Sequence, residues 1–254
     1  MKHIITLIAT LAIACVAHAQ TDSLVVFDTQ GDNLGISIAG FNITLGEEGQ
    51  ADKPKAKRVT TNFVSVYLGY NVFTYKPNYG NWADLPNFMA DNTYGWRLGC
   101  EPFCVQVSLD RRQSVFFRVA MNTYVDVFRF NEAMTLINDE NGYLMPQNIE
   151  GTVKKSRMSN SYLGLCAGLG FRISRLKLMF DFNTDLLTGS TTMYKNPKKT
   201  WNDISGFNNI RYKIGASATV NGFGIYGDYS LTPLFRDGTG NDGSIISFGV
   251  RWGF

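Results

Sequence analysis

The chain has 254 residues, of which 44% are hydrophobic and 18% charged, and a net charge of +3. So small a positive excess gives no footing for nucleic-acid binding, and no stretch beyond the N-terminus is apolar enough for a transmembrane helix. A mean hydropathy of −0.09 does not speak against membrane strands, whose apolar and polar residues alternate. The 25 Gly, 18 Phe and 12 Tyr, against 7 Pro, suit a strand-rich membrane protein with aromatic girdles.

Met1 to Ala19 reads as a secretory signal peptide. Lys2 and His3 supply the charged start, Ile4 to Val16 the apolar run, and Ala17-His18-Ala19 a small-x-small cleavage site. Cleavage after Ala19 leaves Gln20 as the first mature residue. The rival is lipoprotein processing at Cys15, for which Leu11 sits one place too early. Residues 20–58 form a separate periplasmic segment. Ser23 to Phe27 and Ile36 to Leu45 suggest two short strands around Gly31-Asp32-Asn33, with alternation breaking at Gly40. Lys53, Lys55, Lys57 and Arg58 make a basic linker, whose plain reading is a solvated tether near headgroups. The segment as a whole is either loosely ordered, packed on the barrel's periplasmic mouth or ordered by a partner.

Residues 59–254 carry eight alternating segments, at about 61–74, 94–109, 114–130, 160–173, 176–190, 207–220, 223–235 and 245–254. Parity in the second flips near Pro102, the mark of a β-bulge. The last is the clearest. Phe254, Trp252, Val250, Phe248 and Ile246 alternate with Gly253, Arg251, Gly249 and Ser247 over a length that suits a tilted membrane strand. The connections alternate between long (75–93, 131–159, 191–206, 236–244) and short (Asp110–Gln113, Ser174-Arg175, Asn221-Gly222). Long loops outside and short turns in the periplasm are the outer-membrane pattern, and Asn-Gly is the strongest hairpin signal. An edge left open in lipid would strand backbone polar groups, so the sheet must close. The expected fold is all-β, an eight-stranded antiparallel up-and-down barrel.

The span from Thr60 to Phe254 resembles small eight-stranded outer-membrane barrels of the OmpA and OmpX kind. Tyr229-Ser230-Leu231-Thr232-Pro233-Leu234-Phe235, the Gly/Asp-rich loop after it and Ile246-Ser247-Phe248-Gly249-Val250-Arg251 resemble the PorT-like barrels of Bacteroidetes. The resemblance implies a bacterial outer-membrane location more than an activity. It also implies that Phe248, Val250, Trp252 and Phe254 are read by the barrel-assembly machinery. Asp22-Ser23-Leu24 is similar to that group's O-glycosylation sequon.

Both histidines, His3 and His18, lie in the signal. Hydrolases that resemble this shape commonly use histidine as base or partner, so the expectation is no enzyme, no cofactor and no His/Cys zinc site. Three cysteines remain. Cys100 and Cys104 would lie about 13 Å apart on one regular strand, too far for a disulfide. All three, with Cys166, read as buried small apolar residues unless the bulge brings the first two together.

Strand parity turns Arg97, Glu101, Arg118, Asp126, Arg172, Lys177, Asp181, Asp185, Arg211, Lys213, Asp228 and Arg251 inward. Such a lumen is only wide enough for side chains to fill, and a lone buried charge costs several kcal/mol, so the charges are expected to pair into a plug. Arg118, Asp181, Asp228 and Arg251 fall at similar depths and are expected to share one network. Inward glycines (Gly69, Gly99, Gly164, Gly168, Gly170, Gly215, Gly249) would make room for them. Among the loop aromatics, Tyr79, Trp82, Phe88, Tyr143, Tyr194 and Trp201 form either a recognition patch or an interfacial belt. Lys154, Lys155 and Arg157 either touch acidic lipopolysaccharide groups or are solvated.

The expected role is a structural or interaction scaffold with a non-conducting interior. The partners are outer-membrane lipids and lipopolysaccharide, the assembly machinery, and a periplasmic or surface protein. The alternatives are a narrow pore or secretion-system accessory and, behind these, a lipid- or peptide-modifying enzyme.

Overall fold

Alternation, turn chemistry and closure decide the architecture. The structure, a computed structural model, describes residues 25–30, 33–38, 41–46, 59–74, 95–110, 112–130, 133–236 and 243–253. Two compact units divide the chain, residues 1–57 and 58–254. The signal segment, Cys15, Asp22-Ser23-Leu24, the basic linker from Lys53 to Arg58, Tyr79, Trp82, Phe88 and Phe254 lie outside the described residues.

In the first unit, β1 (Val25–Gln30), β2 (Asn33–Ile38) and β3 (Phe41–Gly46) form an antiparallel meander in register from Val25↔Ile38 and Asn33↔Gly46. Two strands were expected. Instead Ile36–Leu45 is divided between two paired strands, β2 ending at Ile38 and β3 beginning at Phe41. Gly40, where alternation breaks, lies outside the described residues.

In the second unit the barrel strands are β4 (Val59–Phe73), β5 (Gly95–Ser108), β6 (Val115–Phe130), β9 (Lys155–Ile173), β10 (Leu176–Asn196), β12 (Ile210–Val220), β13 (Phe223–Ser230) and β14 (Ile245–Gly253). Each pairs antiparallel with its successor, and β14 returns to β4 with Ile245↔Phe73 through Gly253↔Ser65. The eight strands therefore close into an up-and-down barrel, and every ladder has a partner.

The short turns follow from their residues. Asn221 and Gly222 both take positive φ (52° and 84°), the backbone of a type I′ hairpin that Asn-Gly favours. Asp110 uses its carboxylate as a cap, with Oδ1 accepting the Val115 N–H at 2.9 Å. The bulge expected at Pro102 is present. Register shifts by one residue between Cys100↔Thr123 and Phe103↔Met121, because proline cannot donate to the ladder. Cys100 thus stays on the outer face and Cys104 turns to the buried inner one. The bulge separates the two thiols rather than joining them.

The long connections hold more structure than expected. The span read as a 131–159 loop contains a hairpin of β7 (Met134–Asn138) and β8 (Leu144–Asn148). Asp139 Oδ1 accepts the N–H groups of Asn141 and Tyr143 at 2.9 and 2.7 Å in its turn. β9 begins at Lys155 rather than near 160. β10 runs to Asn196 and folds back into β11 (Lys198–Asp203), in register from Thr191↔Asp203 to Asn196↔Lys198, where a loop was expected. One wall thus rises past the rest of the barrel. Conversely, β13 stops at Ser230, three residues before Pro233.

Candidate functional site: the lumen and the outer wall

The outer faces of the strands are apolar and exposed. Leu68, Leu98, Leu165, Phe180, Ile225 and Phe248 are each half or more exposed. Their neighbours along each strand point inward and are mostly small, polar or charged, the reverse of a water-soluble sheet protein. Phe248, Val250 and Trp252 stand on the outer face of β14 in this belt.

The inward side chains assemble around Asp126, which is fully buried. Arg97 reaches it with Nε to Oδ1 at 2.6 Å and Nη2 to Oδ2 at 3.0 Å. Arg211 Nη2 donates to Oδ2 at 2.9 Å and Asn71 Nδ2 to Oδ1 at 2.8 Å. Arg97 Nη1 crosses to Asp228 at 2.8 Å. Asp185 completes this group, accepting from Lys213 at 3.0 Å and from the Tyr124 hydroxyl at 2.6 Å. Tyr124 is also the aromatic floor of the cluster. Its ring stacks on Tyr162 with centroids 5.1 Å apart, and Arg97 and Lys213 each lie 4.4 Å from its centroid, close enough for cation–π attraction.

A second group centres on Glu101, which the bulge aims into the lumen. Arg118 pairs with Glu101 and reaches Asp181 at 3.5 Å, while Arg251 Nη2 donates to Glu101 at 2.5 Å. Arg118 Nε also lies 3.1 Å from the Cys104 sulfur. Arg118, Asp181 and Arg251, expected in one network with Asp228, are linked through Glu101. Asp228 joins the Asp126 group instead. Depth counted along each strand ignores the stagger that closure imposes between strands, and that stagger carries Asp228 level with Arg97.

Across both groups, Arg97, Arg118, Arg211, Lys213 and Arg251 face Glu101, Asp126, Asp181, Asp185 and Asp228, five charges of each sign. Glycines leave space for these side chains. A Cβ at Gly164 would run into the Asp185 carboxylate and the Asn122 amide, and one at Gly69 into the Tyr226 hydroxyl. A cavity of about 50 Å³ remains among Tyr67, Asn122, Ser217 and Tyr226. It has room for a few waters. Arg172 and Lys177, also read as inward, pair across β9 and β10 at the end near the short turns, where Arg172 lies 5.8 Å from the Phe116 ring centroid.

Above the charges the mouth is closed by an apolar cap that the sequence reading missed. Phe128, Phe130, Met158, Leu136, Leu144, Phe207, Phe235 and Ile245 belong to one buried cluster. The β7–β8 hairpin is pinned over the inner face of the tall wall. Ser156 Oγ donates to the Met134 carbonyl at 2.5 Å and Thr192 Oγ1 to that of Leu136 at 3.1 Å. Inward Phe128 and Phe130 at the top of β6 and the apolar run Met134-Thr135-Leu136-Ile137 were the signal for it.

Of the remaining aromatics, Tyr143 is exposed at the β7–β8 turn. Trp201 lies on β11 rather than in a loop, with the Arg157 guanidinium 5.7 Å from its ring centroid.

No protein-family model matches the chain, and no curated protein matches it. Among solved structures it is similar to the attachment invasion locus protein Ail of Yersinia pestis, at 12% identity and a TM-score of 0.34, over 76% of this chain and 96% of that one. It is also similar to a Rhodopseudomonas blastica porin triple mutant, at 11% identity and a TM-score of 0.20, over 77% of this chain and all of that one. Similarity this low carries no weight beside the strand register, and the closed eight-stranded antiparallel barrel stands on that register itself.

Proposed function

We propose that the chain is an integral bacterial outer-membrane protein, exported through a signal cleaved after Ala19, whose barrel is a structural and interaction scaffold with a non-conducting lumen. The belt of exposed Leu, Ile, Phe and Val on every barrel strand supports the membrane setting, since an apolar surface of that extent needs lipid. One observation carries the non-conducting reading: a charge-matched set of ion pairs fills the lumen beneath an apolar cap. An ion crossing the barrel would have to displace both.

The test is planar-bilayer recording of the refolded full barrel. The expected trace has no unitary steps. Regular, salt-dependent steps would establish the pore reading instead. With no histidine between Gln20 and Phe254, a hydrolase of the histidine-dependent kind does not fit the chain.

An accessory role draws support from the meander at residues 25–46. Its order is β1-β2-β3, so among the described residues β1 and β3 each pair on one side, and an edge strand of that kind is a template for pairing with another chain. Co-purification with and without Gln20–Arg58 tests it. A stoichiometric protein lost on deletion supports a docked partner, and an identical lone monomer in both preparations opposes it.

A further inference from the structure

The outer face of the tall wall carries cations on four adjacent strands. Register places Arg129 (β6), Arg157 (β9), Met193 (β10) and Trp201 (β11) in one cross-strand row. The row one step higher on the same face holds Lys155, Lys195 and Lys199. The face is the outer one, because Arg129 and Trp201 are exposed while the alternate residues Phe128, Phe130 and Met158 sit in the cap. Asp203, two residues past Trp201 on β11, is the acidic residue on the same face.

Below the cations the wall is polar at Ser159, Ser161 and Thr191, with Asp203 opposite Thr191 at its β11 edge. The aliphatic belt begins at Leu163 and Leu186, paired across β9 and β10. A groove joins the two zones on the neighbouring strands, with Leu68, Tyr70, Trp96 and Val250 on its apolar side and Arg129 and Lys155 on its basic side.

We propose that this face binds a phosphorylated glycolipid of the outer leaflet. The acyl chains lie along the apolar groove, the sugars against the serine and threonine band, and the phosphates between Arg129, Lys155, Lys195 and Lys199. The inference rests on the membrane reading above, which puts this wall at the outer headgroups. The vertical order of the wall is the order of such a lipid. A face serving solubility alone would mix the signs of its charges. Burial, and then the positive charges of Arg157, Arg129 and Lys199, hold the Lys155 amine below its usual range, so a bound phosphate would relieve repulsion already present.

The test uses the refolded full barrel in phosphatidylcholine vesicles doped with bisphosphorylated lipid A, with the same lipid A dephosphorylated, or with phosphatidylglycerol. Lipid carried through detergent extraction is counted by native mass spectrometry. The expected result is retention of bisphosphorylated lipid A, and at least about tenfold less of the dephosphorylated form. The combined variant Arg129→Ser, Lys155→Ser, Lys195→Ser and Lys199→Ser loses the preference. A control with Arg112→Ser and Arg175→Ser, at the opposite end of the barrel, keeps it. Equal retention by the fourfold variant, or of phosphatidylglycerol by the wild type, would overturn the proposal. Failure of the wild type to enter any vesicle would overturn the membrane reading and this proposal with it. Insertion without lipid preference would overturn this proposal alone.

Discussion

Arg97 and Asp126 face each other across β5 and β6 and meet as a fork, Nε to Oδ1 at 2.6 Å and Nη2 to Oδ2 at 3.0 Å. Two parallel charge-assisted bonds fix both side chains in one plane. Arg211 and Asn71 then occupy the remaining approaches to the carboxylate. Removing Asp126 leaves two buried guanidinium groups facing each other without their shared anion. Asp126→Ala should lower barrel stability by about 3–5 kcal/mol, measured as the urea midpoint of the refolded protein in micelles. Asp126→Ala combined with Arg97→Met and Arg211→Met should recover part of that loss. A single variant as stable as wild type would show that the fork contributes nothing.

Gly164 should not tolerate a side chain. Its missing Cβ leaves the space that the Asp185 carboxylate and Asn122 amide occupy. Gly164→Val should cost about 1–3 kcal/mol by overpacking. Gly189, where an added Cβ meets no atom within 4 Å, should accept alanine with little change. Parallel urea titrations of the two variants decide it, and equal midpoints would contradict the close fit.

The cap should open independently of the barrel. Leu136 is fully buried in it, and Leu136→Ala should weaken the local packing by about 2–5 kcal/mol. Hydrogen exchange should then quicken over Met134–Asn148 while β12–β14 stay protected. Uniform quickening throughout would mean that lid and barrel form one cooperative unit.

Asp110 gives a pH dependence. The Val115 N–H, its main partner, holds this carboxyl below the usual carboxylate range. A depressed folded value means that the contribution is fully present above the unfolded value. It fades as pH falls through the folded one. Stability should therefore fall more on acidification from about pH 6 to about pH 2 in the wild type than in Asp110→Asn. Coincident curves would assign the acid sensitivity elsewhere.

The three thiols should be free. Cys100 lies on the outer face, and Cys104 and Cys166 lie inside with Ala120 between them. Alkylation of protein unfolded without reductant should label all three, and a mass two hydrogens lighter would reveal a bridge.

The barrel was legible because its signals are local. Alternation marked the faces, Asn221-Gly222 and Asp110–Gln113 the turns, and Pro102 the bulge. Inward charges followed from parity alone. Their partners did not, because stagger between strands is a property of closure, which moved Asp228 from the Glu101 group to Arg97. The cap was missed because its residues come from segments as far apart as Phe73 and Ile245. The tall wall was missed for a different reason. Residues 191–206 were read as a long connection, whereas register with Lys155 puts Lys195 and Lys199 on one face of a sheet.

The Arg251–Glu101 contact joins the last strand to the second, across the place where β14 meets β4. It can form only when the two ends of the sheet have come together. An open sheet would leave Glu101 without its Arg251 partner, a deficit that closure removes. Closing the seam and completing the charge set are thus one event, so the order of the sheet and the burial of its charges are tied together.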